Sequence, residues 1–101
     1  MILRAVHVTL ASAQKDAYWA WAREILALWD AHGIRRHGGP FKGKDSDGKD
    51  TAMWLTLHES EQQAADEFRN MYSTPAGREL LERRPALVSE TTLVNYSPFD
   101  G

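Results

Sequence analysis

The sequence predicts one α+β domain with the element order β-α-β-β-α-β, and three observations carry that prediction. Residues 2–10 (ILRAVHVTL) alternate apolar and polar side chains with period two, the mark of a half-buried strand. Residues 13–32 (AQKDAYWAWAREILALWDAH) repeat apolar side chains at helical spacing and stop at Gly33. A strand then ends at His58, Ser60 opens a further helical run, and residues 87–96 (LVSETTLVNY) supply a last strand. A chain of 101 residues holds one such domain, spanning 1–101.

In the first strand Val6, Val8 and Leu10 share one face and Ala5, His7 and Thr9 the other. The more apolar set faces the helices, so His7 faces away. Ser12 is the expected N-cap of the first helix, with Asp16 in an early turn where the helix dipole favours an anion. Tyr18, Trp21, Ala22, Ile25, Leu28 and Trp29 form its apolar stripe, flanked by Trp19 and Leu26. That arc covers about half the circumference, wider than the ~100° stripe one sheet contact needs. The helix is therefore expected to bury against more than its own sheet. Gly33 suits the left-handed position after a helix.

Residues 34–50 read as a weak strand leading into a hairpin. Gly38, Gly39 and Pro40 suggest a bulge or a broken strand start, and Asp47–Gly48 is a turn signal. In the third strand Met53, Leu55 and Leu57 share one face, and Trp54, Thr56 and His58 the other. Ser60 and Gln63 form a capping box for the second helix, whose stripe is Ala64, Phe68, Met71 and Tyr72. Thr74 and Pro75 start a short helix anchored by Leu80 and Leu81. Arg83 and Arg84 occupy its last turn, where cations suit the dipole, and Pro85 closes it.

Composition narrows the function classes. The chain has no cysteine, which removes disulfides, thiolate nucleophiles and cysteine-bound zinc. Its net charge is −2, and its one basic stretch, residues 35–49, is diluted by aspartates, so no nucleic-acid partner is expected. The N-terminus is too short and too alternating for a secretory signal, and no apolar run approaches the ~20 residues that span a bilayer. The expected location is cytoplasmic, with no membrane partner.

A split βαβ is the economical topology, with both helices on one sheet face. A right-handed crossover is expected to set the first and third strands side by side and parallel. The last strand would pair antiparallel with the first, and the second with the third. The uncovered face would then carry His7, Trp54, Thr56 and His58. A tryptophan-bearing face is poorly suited to water, and a domain this small buries only about two-thirds of its unfolded surface. An identical copy packed over that face would make an isologous homodimer with a cleft between the two sheets. The alternative is a monomer with a wet sheet face, which antiparallel sheets tolerate.

The segments ALWDAHGIRRHG (27–38) and TPAGRELLERRPALVSETTLV (74–94) carry a resemblance. The chain resembles the dimeric α/β-barrel superfamily, whose ferredoxin-like subunits pair sheet to sheet, and within it NIPSNAP-type domains. Antibiotic-biosynthesis monooxygenases, muconolactone-isomerase-like enzymes and polyketide cyclases are related branches. The resemblance implies a ferredoxin-like βαββαβ sandwich forming a dimeric α/β barrel. For an enzyme it implies oxidation, isomerisation or cyclisation without a cofactor. The glycine- and lysine-rich stretch before the third strand departs from the compact hairpins of the superfamily.

Other motifs have simpler readings. Residues 38–44 (GGPFKGK) match the spacing of a phosphate loop, but Asp45 takes the magnesium-binding Ser/Thr position and a turn follows where a helix is required. Residues 45–50 resemble a calcium loop, but the twelfth position is Thr56, on a strand. His32 suits the end of the first helix, and His37 sits on a loop. His7 and His58 are the candidate catalytic pair, a base and a second acid/base or anchor near neutral pH. The alternative is two interface histidines bonded across a dimer. Glu90 would complete three ligands only with the right strand parity, so no metal is expected. Trp54, Thr56 and Tyr96 are the candidate ligand-binding residues, the aromatic pair pairing apolar bodies with polar tips. The helical tryptophans read as core. Arg4 suits an acidic ligand, but parity sets it on the helix side, away from the expected cleft.

The expected function is therefore a small-molecule enzyme or binding protein holding an apolar or aromatic metabolite between two sheets of a homodimer. The alternative is a non-catalytic interaction module served by the same dimer, the first helix and the 38–50 arm.

Overall fold

A computed structural model of the chain describes residues 1–100. Strands β1 (Ile2–Leu10), β2 (Arg35–Arg36), β3 (Phe41–Lys44), β4 (Asp50–His58) and β5 (Val88–Tyr96) form one sheet. Helices α1 (Lys15–Ala31), α2 (Glu61–Tyr72) and α3 (Pro75–Arg83) cover one face, and a 3-10 turn (Arg84–Ala86) leads into β5. The strand order is β2-β4-β1-β5, with β3 also on β4, and every pairing is antiparallel. This is a ferredoxin-like α+β fold with its second strand in two pieces. The break falls at 37–40, where Gly38 and Gly39 take positive φ.

One topological expectation is corrected. β1 and β4 are adjacent but antiparallel, with Ile2 opposite His58 and Thr9 opposite Thr51. The strands that run the same way are β1 and β2, since both oppose β4. The hairpin after β3 reverses the chain, so β4 enters between them pointing the other way.

Local chemistry explains the element ends. The turn before α1 differs from expectation: Ala13 adopts φ +63°, the Gln14 N–H donates to Ala11 O at 3.1 Å, and Gln14, not Ser12, is the N-cap. Gly33 takes φ +69°, and the Ile34 N–H reaches back to Trp29 O at 3.0 Å, a helix stop that needs the left-handed residue between them. At α2 the Ser60 hydroxyl accepts from the Gln63 N–H at 3.0 Å, and the Gln63 side chain accepts from the Glu59 N–H. At α3 the Thr74 hydroxyl accepts from the Gly77 N–H at 3.1 Å. The Asp45 carboxylate accepts from the N–H groups of Asp47 and Lys49, both at 2.9 Å. It thus serves the hairpin turn, as expected against the phosphate- and calcium-loop readings.

The α1 stripe is buried as the periodicity requires, with Tyr18, Trp21, Ala22, Ile25 and Trp29 all inside. The wider arc also finds partners. The Trp21 indole N–H donates to Leu80 O of α3 at 2.9 Å, and Arg83 of α3 pairs with Glu24 at 2.7 Å. On the other flank the Lys42 ammonium of β3 lies 5.1 Å from the Trp19 ring centre.

The parity of β4 is the second correction. Ala52, Trp54, Thr56 and His58 are buried under the helices, while Met53, Leu55 and Leu57 are half-buried on the uncovered face. Register places His7 beside Met53 and Thr92, Ala5 beside Leu55 and Val94, and Leu3 beside Leu57 and Tyr96. The uncovered face therefore carries an aliphatic row beside His7, Thr92 and Glu90, with exposed Val94, Tyr96 and Phe41 extending its apolar part.

Candidate functional site

A cavity of about 310 Å³ lies inside the subunit, between the sheet and the helices. Its floor is Val6 and Val8 of β1 with Trp54 and Thr56 of β4. Tyr18, Trp21, Ile25 and Trp29 of α1 form the roof, and Phe68 and Tyr72 of α2 one wall. The opening lies along β5, where the helices leave Leu93 half exposed and Leu81 nearly so. Arg4 and Arg84 also line it.

The aromatic wall is a continuous cluster. Trp54 sits at its centre, with ring centres of Trp29, Trp21 and Tyr18 at 5.1, 6.4 and 6.5 Å. Phe68 follows at 5.8 Å from Trp29, and Tyr72 stacks on Phe68 at 6.5 Å. These edge-to-face spacings favour rigid walls.

The polar groups are few and mostly donors. The Trp54 indole N–H donates to the Tyr18 hydroxyl oxygen at 2.7 Å. Burial pushes the Tyr18 pKa up to about 12, so its hydroxyl keeps its proton at neutral pH. Burial also raises the Tyr72 pKa, opposed by the positive charge of Arg84. The Trp29 indole N–H is buried with no acceptor among the described residues. Arg4 Nε donates to Asn95 Oδ1 at 3.1 Å, and its guanidinium lies 5.4 Å from the Phe68 ring centre. Arg84 donates to Thr91 Oγ1 at 2.9 Å.

Beside the cavity a chain of polar side chains runs from buried Thr56 and His58 to half-buried Glu67 of α2. His58 Nε2 is 2.8 Å from Thr56 Oγ1, and its Nδ1 is 3.2 Å from Glu67 Oε1. The carboxylate favours a proton on Nδ1, which leaves Nε2 to accept from the threonine hydroxyl.

The expected site residues divide between the two sheet faces. Trp54 and Thr56 line the cavity, and His58 contacts it only through Thr56. His7 and Tyr96 stand on the uncovered face, both exposed. His7 and His58 therefore do not converge. The inverted β4 parity is the reason, since it carries His58, Trp54 and Thr56 beneath the helices while His7 keeps its expected side. Glu90 also lies on the uncovered face, opposite Thr9. Among the described residues no group of three or more histidine, aspartate or glutamate side chains is placed to hold a metal ion. Tyr18, Tyr72 and Arg84 are site residues that the sequence reading did not assign. Arg4, set aside on parity, faces the cavity for that very parity.

Solved structures share this architecture. An uncharacterised NIPSNAP domain protein from Burkholderia xenovorans superposes with a TM-score of 0.77, covering 97% of this chain and 94% of that one at 11% identity. A NIPSNAP family protein from Agrobacterium tumefaciens gives 0.76, with 98% and 93% covered at 14% identity. The fold is that of NIPSNAP-domain proteins. A putative antibiotic biosynthesis monooxygenase from Nitrosomonas europaea follows at 0.64, covering 98% of this chain and 99% of that one at 12% identity. The NIPSNAP likeness extends over both segments on which the sequence resemblance rests. No protein-family model matches the chain, and no curated protein matches it in sequence. Among the described residues no helix is long and apolar enough to cross a membrane.

Proposed function

We propose that this chain binds a small apolar or aromatic molecule within each subunit, in the cavity between helices and sheet. The observation that carries the proposal is the cavity itself: about 310 Å³, walled by an aromatic cluster and open along β5. That volume lies at the lower end of the range for small-molecule sites, which are mostly apolar with a few placed polar groups. Its place differs from the cleft between sheets that the sequence reading expected. Should the bound molecule be turned over, the Thr56–His58–Glu67 chain is set to move a proton at the wall. The putative monooxygenase name of one neighbour supports oxidation as the reaction class.

Calorimetric titration with neutral 2-naphthamide tests the binding. Val6→Trp fills the floor with little change outside it and should weaken binding at least about tenfold, or 1.4 kcal/mol. His7→Ala, on the opposite face, should leave affinity unchanged. Equal affinity in wild type and Val6→Trp would remove the cavity from the account.

The subunit is proposed to pair with an identical copy through the uncovered sheet face. Support comes from the aliphatic row of Met53, Leu55, Leu57 and Val94, which a monomer would leave in water. Val94→Glu enters such an interface twice by symmetry, so sedimentation at micromolar concentration should show twice the chain mass for wild type and the single chain for the variant. A single-chain mass for the wild type would overturn the pairing and leave the cavity as it is.

A further inference from the structure

We infer that the cavity's ligand is an organic anion, a flat apolar body bearing a carboxylate that the guanidinium of either Arg4 or Arg84 receives at the opening along β5. The inference rests on the reading of the cavity as a small-molecule site and specifies the charge of what it holds.

The sign of the lining is the first argument. Among the described residues Arg4 and Arg84 are the only charged ones in its lining, which includes no aspartate, glutamate or histidine. The chain as a whole has fourteen acidic and twelve basic side chains, so a purely cationic lining does not follow from composition.

The second argument is what these arginines lack. Arg35, Arg36 and Arg83 at the surface face carboxylates at 3.5, 3.8 and 2.7 Å, Arg69 pairs with Asp66, and Arg23 and Arg78, which have no carboxylate partner among the described residues, are exposed to water. Among the described residues neither Arg4 nor Arg84 has a carboxylate within 4.0 Å, although both are half-buried. Arg4 is held by a neutral amide and an aromatic face, Arg84 by a neutral hydroxyl. Each spends one donor direction on its holder and keeps the rest of a planar fork of five N–H groups. A guanidinium fixed in this way is set to grip a carboxylate through two parallel hydrogen bonds.

Two further polar groups at the wall are donors. Tyr18 accepts from Trp54, which leaves its hydroxyl proton to donate. The Trp29 indole N–H is 94% removed from water by residue and has no acceptor. The Thr56 hydroxyl is already engaged by His58. Unmade donors are costly when buried, and an acceptor-rich ligand would satisfy them.

Spacing assigns the acid group to one arginine at a time. The holders Thr91 and Asn95 share one face of β5 and lie four residues apart, about 13 Å along a strand. Leu93 sits between them at the opening. A body of one or two rings fits inward against Trp54, with its acid group meeting an arginine at the rim.

Calorimetry at pH 7 with 2-naphthoate and its neutral isostere 2-naphthamide tests the inference. Wild type should bind the carboxylate at least about tenfold more tightly than the amide. In the Arg4→Met/Arg84→Met double variant the ratio should fall to about one, and in the corresponding double lysine variant part of the preference should return. Circular dichroism verifies that each variant is folded, and the wild-type ratio stands as a test without any variant. Equal binding of acid and amide by wild type overturns the anion and leaves the small-molecule reading standing. So does a preference that survives in the folded double methionine variant. Failure of both probes to bind overturns the small-molecule reading, and the anion with it.

Discussion

Trp54→Ala should lower the stability of the folded subunit by about 4 kcal/mol, the range for removing a buried aromatic side chain. Trp54 is only 5% exposed and stands at the centre of the aromatic cluster. Its loss removes contacts to three rings, enlarges an existing cavity and leaves the Tyr18 hydroxyl without its donor. Domains of this size are stable by roughly 5–15 kcal/mol, so the variant should retain a fold only narrowly. Urea denaturation measures the change. Trp54→Phe keeps most of the apolar volume and loses the hydrogen bond, so it should cost about 1–3 kcal/mol. A loss below 1 kcal/mol for the alanine variant would contradict the placement of Trp54. The same experiment decides the parity of β4. With the opposite parity, Trp54 would lie on the uncovered sheet face, and its removal would leave the stability of the fold nearly unchanged.

That parity marks the boundary of what the amino-acid pattern reveals. In β1, the alternation of Val8 and Leu10 with His7 and Thr9 separates apolar from polar cleanly, and the structure follows it. In β4 the alternating sets are Met53, Leu55, Leu57 and Trp54, Thr56, His58. Hydropathy favours burying the first set, and the structure buries the second. The deciding facts are long-range: the Tyr18 hydroxyl waits for the Trp54 indole, and Glu67 of α2 waits for His58. Neither partner is visible within the strand. The capping signals at Ser60 and Thr74 and the stop at Gly33 are legible because each is a local bargain between one side chain or φ angle and the nearest backbone groups. Ser12 misled for a related reason: its neighbour Ala13 takes a left-handed turn that alanine seldom adopts, and the helix starts later.

The cavity residues follow the same division. Arg84 reads in sequence as a cation suited to the end of α3, which it is. Its second role depends on a hydrogen bond to Thr91, across the 3-10 turn and into β5. Arg4 carries its own warning in the sequence, a charged residue on the apolar side of a strand. Such a residue is costly beneath a helical layer unless something there needs it. Once the interior of the subunit is seen to hold a cavity, the same parity that excluded Arg4 from an inter-sheet cleft places it at the site.

Gly77→Ala joins stability to the site. In an ordinary helix interior this change stabilises by roughly 1 kcal/mol, because alanine has the better propensity. Here the opposite sign is expected. A Cβ at position 77 would lie 2.1 Å from Met71 O, 2.8 Å from the Tyr72 Cα and 2.9 Å from the Met71 carbonyl carbon. All three are backbone atoms in the last turn of α2, so no side-chain rotation relieves the clash. α3 must move away from α2, and the movement strains the Thr74 cap, whose acceptor holds the Gly77 N–H. Further along α3, Leu80 O receives the Trp21 indole N–H, and Arg84 closes the cavity. Thermal and urea unfolding should show a loss of about 3 kcal/mol, at the upper end for overpacking. The folded fraction should also lose part of its preference for 2-naphthoate, because Arg84 shifts with its helix. Ala76→Gly, one residue earlier and exposed, should cost only about 1 kcal/mol and leave that preference intact. A Gly77→Ala variant as stable as wild type would show that α2 and α3 can separate freely, and that the position of Arg84 is not set by this contact.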